Sequence, residues 1–234
     1  MLNPLVLLLQ AHQQSFHPVV PFKPGEDHLV AMDFSDANSA LTNEVIEDVR
    51  LLDKWVQSHL QAHRATYGIG GYAELRNVYA RSSLFDSNTD TEPRRFHLGV
   101  DIWGAAGTLV HAPMGGMVHS FAYNEGEGNY GATIILLHQL NGVPFYTLYG
   151  HLSVRDLTIT AGQYINGGMA FAHFGSPAEN GNWPSHLHFQ IISDLQAYEG
   201  DFPGVCRYSE REAYMLNCPN PDLILQMEQY LPGK

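Results

Sequence analysis

Basic residues are scarce: 12 Lys and Arg stand against 24 Asp and Glu in 234 residues, a formal charge of −12. An acidic chain repels phosphate backbones and anionic lipid, so no nucleic acid partner is expected. Two cysteines are too few for a disulfide-stapled scaffold. Cys206 and Cys218, twelve apart, either hold the tail by a disulfide or lie as two buried thiols. Long apolar runs are also missing. Leu5-Val6-Leu7-Leu8-Leu9 is far too short to cross a bilayer, so no membrane span is expected. It lacks a basic residue before it and a small-residue cleavage site after it, and so reads poorly as an export signal. The location is left open, with the cytoplasm favoured over export. Asn3-Pro4 instead reads as a helix N-cap followed by proline at the first helical position. There is no G-x-x-x-x-G-K, no G-x-S-x-G and no H-E-x-x-H. Gly126-Glu127-Gly128-Asn129-Tyr130-Gly131 matches G-x-G-x-x-G, but strand residues Ala132 to Leu137 come after it where a nucleotide site needs a helix. It reads as a hairpin loop.

What the chain has is hydrophobic residue in ordinary amount, 44%, which excludes general disorder. It also has 13 histidines, one more than all its lysines and arginines. The pattern along the chain changes twice. In the first third, Leu41, Val45, Val49, Leu52, Val56 and Leu60 recur at three- and four-residue steps. The spacing predicts one long amphipathic helix over about 38–65, stopped by Gly68, Gly70 and Gly71. From about 96 to 193 short apolar runs alternate with glycine turns. The predicted strands are Phe96–Trp103, Thr108–Ala112, Gly116–Tyr123, Ala132–His138, Val143–His151, Met169–Phe174 and Ser185–Ser193. No amphipathic helix interrupts them, so the core is expected to be antiparallel and a parallel sheet is not. In the tail, Ser209-Glu210-Arg211-Glu212 fits a capping box, and Pro219 and Pro221 interrupt any regular structure beyond it. The fold class is α+β, mainly β with a helical N-terminal extension. The expected division is 1–85 as that extension packed on the core, 86–200 as the β domain and 201–234 as a tail.

Three segments in the β region carry chemistry. They are His97-Leu98-Gly99-Val100-Asp101, Tyr149-Gly150-His151-Leu152 and Ser185-His186-Leu187-His188-Phe189. Residues two apart on a strand share a face. His186 and His188 therefore project together, with Leu187 and Phe189 turned to the core, and His97 and Asp101 can also share a side. Two imidazoles and a carboxylate make a three-ligand zinc set that leaves a position for water. The same donors make the facial triad of iron oxygenases, but the three-residue gap and the extra histidines count against that. A histidine alone on a strand is a satisfied or surface residue, and His12, His17, His28, His59, His63, His111, His119, His138 and His173 are read so.

The combination resembles the lysostaphin-like (LytM-type) zinc metalloendopeptidases, which cleave peptidoglycan. The resemblance covers about 100 residues and continues beyond the histidines. It includes Ala105-Ala106-Gly107-Thr108, Val110-His111-Ala112-Pro113, Gly115-Gly116-Met117-Val118, Gly128-Asn129-Tyr130-Gly131, Thr147 to Leu152, the Gly162-Gln163 turn and Ser185 to Ile191. Gly71 to Tyr79 looks like the lead-in to such a catalytic domain. The resemblance implies a compact antiparallel β core, zinc (Zn2+) held by His97, Asp101 and His188, and catalysis by His151 and His186. It implies a peptide or peptidoglycan substrate. Asn129 and Tyr130 are expected at the groove rim, where they would meet substrate, or else as plain hairpin-turn residues. The competing reading is a non-catalytic zinc-containing binding or regulatory module.

Overall fold

The computed structural model describes residues 3–86 and 92–233. The chain begins with helix α1 (Pro4–Ala11), whose N-cap Asn3 accepts from the Leu5 amide at 3.0 Å. Strand β1 (Leu29–Ala31), helices α2 (Asn43–Glu47) and α3 (Val49–Ala62) and strand β2 (Tyr67–Gly70) come next. The β region then runs β3 (Arg94–His97), β4 (Val100–Trp103), β5 (Leu109–His111), β6 (Gly116–Asn124), β7 (Gly131–Leu140), β8 (Val143–Leu152), β9 (Tyr164–Ile165), β10 (Ala170–His173), β11 (His186–Ile192) and β12 (Val205–Arg207). Two short helices, α4 (Arg211–Asn217) and α5 (Asp222–Leu225), complete it.

Among the described residues an eight-stranded sheet has the order β1-β2-β4-β11-β8-β7-β6-β9, and β10-β5 and β12-β3 form two small ladders. Every pairing is antiparallel except β1 with β2, which is parallel. The antiparallel core over 96–193 is as expected, and the parallel pair lies outside that stretch, at the N-terminal edge of the sheet. Helices α2 and α3 lie between β1 and β2 and supply the crossover that parallel neighbours require. Residues 126–130 lie in the loop between β6 and β7, and Gly131 opens β7, so the stretch is a hairpin connection as read from the sequence.

The single long helix over 38–65 is not formed. Thr42 caps α2 by accepting the Val45 amide at 3.4 Å. Asp48 then takes an extended backbone, φ −104° and ψ 111°, and its carboxylate accepts the Arg50 amide at 2.8 Å. A side chain that satisfies a free helix-start amide competes with helix continuation, so two caps give two helices. The glycines at 68 and 70 do not stop a helix either; they lie inside β2. A Cβ at Gly70 would strike the Met32 carbonyl oxygen, and one at Gly68 the Met32 side chain. Their small size lets β1 and its continuation lie against β2. The expected strand 96–103 is two strands, bent at Leu98-Gly99. The Ser209 capping box is also absent. The Ser209 amide bonds to Glu92 at 3.0 Å, while Glu210 accepts from the Arg207 amide at 3.3 Å and from its Nη1 at 3.1 Å.

The main core lies between the large sheet and the strands and helices packed on it, and includes Ile102, Ile134, Tyr149, Leu187 and Phe189. A second cluster joins Met32, Phe34, Leu52 and Val56 of the N-terminal segment to Trp103 and Trp183. Cys206 and Cys218 are buried in a third cluster and are not bonded to each other. Among the described residues no helix is long and apolar enough to cross a membrane.

Candidate metal centre and active site

Strands β4 and β11 position most of the polar groups. In their antiparallel register Asp101 stands opposite His188, and Trp103 opposite His186. Directly opposed residues project to the same face, so these four side chains crowd one side of the sheet while Leu187 and Phe189 enter the core. His97 joins them from the end of β3, across the Leu98-Gly99 bend. Gly99 is required there, because a Cβ would run into the His188 ring and the Phe189 carbonyl.

Three donor atoms converge. His97 Nε2 is 3.0 Å from His188 Nδ1 and 3.3 Å from Asp101 Oδ1, and His188 Nδ1 is 3.1 Å from Asp101 Oδ1. A tetrahedral zinc with ligand bonds near 2.1 Å sets its donors about 3.4 Å apart, so the triangle has the right size. The outer bonds also fit. His97 Nδ1 lies 3.0 Å from the Gly71 carbonyl oxygen, and His188 Nε2 lies 2.9 Å from Gln190 Oε1. Each acceptor takes the N–H of the outer nitrogen, which leaves the inner nitrogen as a lone pair. Asp101 Oδ2 accepts from Arg76 Nη1 at 2.5 Å. Burial alone would raise the Asp101 carboxyl, but His97, Arg76 and the histidine bonds hold it well below the usual carboxylate range. Burial pushes His97 down to about 4; Arg76 adds to that and Asp101 opposes it. Among the described residues these three form the one His/Cys/Asp/Glu group compact enough to hold a metal ion.

The other two predicted histidines stand beside this triangle. His186 stacks on Trp103, ring centres 4.0 Å apart, and its Nε2 is 4.0 Å from Asp101 Oδ1. His151 lies 4.2 Å from His186 between ring centres and 6.4 Å from His188. Each is tied by Nδ1 to a backbone carbonyl, His151 to Asn180 and His186 to Pro184, both at 2.8 Å. Burial lowers both rings, His151 well below its ordinary value and His186 to about 4, so both are neutral at pH 7. Asn129 and Tyr130 enter β7 beside the cleft. Asn129 is half-buried and bonds within its own loop, to Glu125 O at 3.2 Å and from the Tyr130 amide at 2.9 Å. Tyr130 sits deeper than a rim residue. Its hydroxyl is 3.4 Å from His188 Nε2, and its ring occupies the space over Gly150 and Gly204.

Asp101, Asn129, Tyr130, His151, His186 and His188 line one cleft of about 310 Å³, with His97 buried behind it. Sequence reasoning missed several of its other residues, among them Arg76, Tyr79, Trp103, Trp183, Asp201 and Phe202. Arg76 carried a faint signal, since it lies two residues from Glu74 within the stretch from Gly71 to Tyr79. The aromatic walls carried none, because a strand or loop aromatic reads as core.

Residues 95–199 match Peptidase family M23. The chain carries an M23 peptidase domain. That stretch contains His97 on β3 and Asp101, His151, His186 and His188 on β4, β8 and β11, so the whole cluster lies within it; M23 is a family of peptidases that is zinc-dependent in general. The L-Ala–D-Glu endopeptidase of Bacillus subtilis (strain 168) is 26% identical over 133 residues, 55% of this chain and 39% of that protein. The chain thus spans well under half the length of that curated relative. Among solved structures, the catalytic domain of the antimicrobial peptidase lysostaphin from Staphylococcus simulans is 20% identical, covers 69% of this chain and 96% of its own, and has a TM-score of 0.38. LytU is 21% identical over 55% of this chain and 75% of its own, with a TM-score of 0.38. Membership of the M23 domain rests on the sequence match and not on these scores.

Proposed function

We propose that the protein is a zinc-dependent endopeptidase that hydrolyses peptide bonds in peptidoglycan or related peptides. The observation that carries this is the triangle of His97 Nε2, Asp101 Oδ1 and His188 Nδ1 with 3.0–3.3 Å edges, set in the M23 domain beside two further neutral histidines. The substrate class is supported by the B. subtilis relative, which is an L-Ala–D-Glu endopeptidase.

His97, Asp101 and His188 would hold the metal. Bound zinc supplies Lewis acidity, which lowers the pKa of water toward about 7 and polarises a scissile carbonyl. The remaining work falls to the chain. His151 and His186 each commit Nδ1–H to a backbone carbonyl, which fixes the tautomer and leaves Nε2 as the basic atom. One Nε2 takes the proton of the attacking water. That ring, now an imidazolium, steadies the developing oxyanion and passes the same proton to the leaving amine, while the other Nε2 accepts a hydrogen bond from the water and orients it. The Trp103 face holds His186 in place, and the buried walls exclude bulk water, which strengthens each of these polar contacts.

The test is His151→Ala and His186→Ala, each measured for bound zinc, melting temperature and cleavage of stem or cross-bridge peptides. Both variants should keep zinc and fold, with the rate lowered roughly a hundredfold to ten-thousandfold. Loss of zinc in either would indicate a closed structural centre and the binding-module reading. Wild-type protein that holds zinc yet cleaves none of these peptides would overturn the substrate assignment.

A further inference from the structure

Arg76 is 1% exposed, among the most buried polar residues described. It lies outside residues 95–199. Its guanidinium is clamped on three sides. Nε donates to Glu74 Oε2 at 2.5 Å, Nη1 is 3.3 Å from the Tyr79 hydroxyl, and the group lies over the Phe34 ring, 5.2 Å from its centre. Glu74 is itself held, because its Oε1 accepts the Phe34 amide at 3.1 Å. From this fixed seat Nη1 reaches Asp101 Oδ2 at 2.5 Å. The other Asp101 oxygen, Oδ1, is the one that faces the two histidine nitrogens. The same segment also runs along β3. The His97 amide donates to Glu74 O at 2.9 Å, the Ala73 amide to His97 O at 3.0 Å, and Gly71 O accepts a hydrogen bond from His97 Nδ1–H.

We infer that Arg76 is the positioning residue of the metal centre: clamped by Glu74, Tyr79 and Phe34, it holds one Asp101 oxygen so that only the other is presented to the metal. This rests on the zinc reading above. A buried ion pair adds little net stability over an apolar replacement, so a mere structural tie gives no reason for a charged fork at this spot. A fork that must grip a carboxylate on each side does, since only guanidinium has donors in that fixed planar geometry. Two of the three metal ligands are thereby oriented from residues 71–79, which lie outside the matched stretch, so residues 95–199 alone would make an imperfect metal site.

The experiment uses the full chain with Arg76→Met and Arg76→Lys. Zinc affinity is read by chelator competition, ligand geometry by the visible bands of the cobalt-substituted protein, and fold by the melting temperature without metal. Outer-shell losses of this kind lower metal affinity about tenfold to a hundredfold. That loss is expected for Arg76→Met, with a smaller one for Arg76→Lys, and both should shift the cobalt bands. A folded variant of either kind with wild-type affinity and spectrum overturns the inference. If Arg76→Met does not fold, Arg76→Lys decides, because it keeps the charge and loses the fork. His188→Ala separates this from the underlying reading. If wild type binds no zinc, or His188→Ala retains it, the metal assignment itself falls. If those two behave as expected while the Arg76 variants bind like wild type, only the positioning role falls.

Discussion

His138 occupies a position on β7 with no part in the cleft, and it is one of the buried groups that make the fold sensitive to acid. Its Nδ1 is 3.0 Å from Gly115 O, its Nε2 is 2.7 Å from Thr147 Oγ1, and its ring stacks on Phe145. Burial pushes the imidazole down to about 4, against a weaker opposing pull from the Gly115 carbonyl. The folded value lies below the free value of about 6.5, so the native state prefers the neutral ring. Its contribution is complete above pH 6.5 and is lost as pH falls from there through 4. Linkage puts that loss at roughly 2 kcal/mol by pH 5 and about 3 near pH 4. Urea unfolding of wild type and His138→Gln at pH 7.5 and pH 5 should show a smaller difference between the two pH values in the variant. An equal difference would mean that His138 does not carry the effect. At this scale the gathering of polar side chains in the cleft was partly legible. His186 and His188 share a face by strand spacing, whereas His97 meets Asp101 across the Leu98-Gly99 bend, which strand spacing does not describe. Arg76 was not legible, because an arginine between a glutamate and a tyrosine reads as surface until the sheet above it is known.

At the scale of elements, the β region was readable and the N-terminal third was not. Long strands such as β6, β7 and β8 have enough residues for alternation and glycine turns to define them. Strands β1 and β2, three and four residues long, are too short to establish a period, and the two glycines in β2 disguised it as a helix stop. Their purpose is visible only from Met32, whose backbone and side chain fill the space a Cβ would need. The overlong helix had the opposite cause: Leu41 to Leu60 keep a helical rhythm across Asp48, and rhythm cannot show that a side chain has captured the Arg50 amide. Gly70→Ala probes this close approach. The added methyl meets backbone, which cannot swing aside, so the β1 side of the sheet must move away from β2. A cost of about 1–3 kcal/mol is expected, as for other overpacked interiors, read as a lower urea midpoint at unchanged slope. Wild-type stability in Gly70→Ala would show that this edge yields freely.

For the molecule as a whole, the N-terminal segment and the M23 domain share a sheet and share the cluster that joins Leu52 and Val56 to Trp103 and Trp183. We propose that residues 1–85 and 86–200 behave as one cooperative unit. The place of β4 and β11 in the strand order bears on this. They are third and fourth of eight, each paired on both sides, and β2, which guards the outer side of β4, is itself covered by β1. A metal ligand on an edge strand would loosen whenever that edge frayed. Asp101 and His188 sit where the backbone can open only by separating the molecule, so their geometry should survive local breathing. Amide hydrogen exchange makes this measurable: protons at Ile102, Leu187 and Phe189 should exchange only through global unfolding, and Ile69 of β2 with them. If Ile69 exchanged through a smaller opening than Leu187, the two parts would be separate cooperative units. If they match, the protein keeps the Asp101 carboxylate and the His188 imidazole registered for as long as it stays folded.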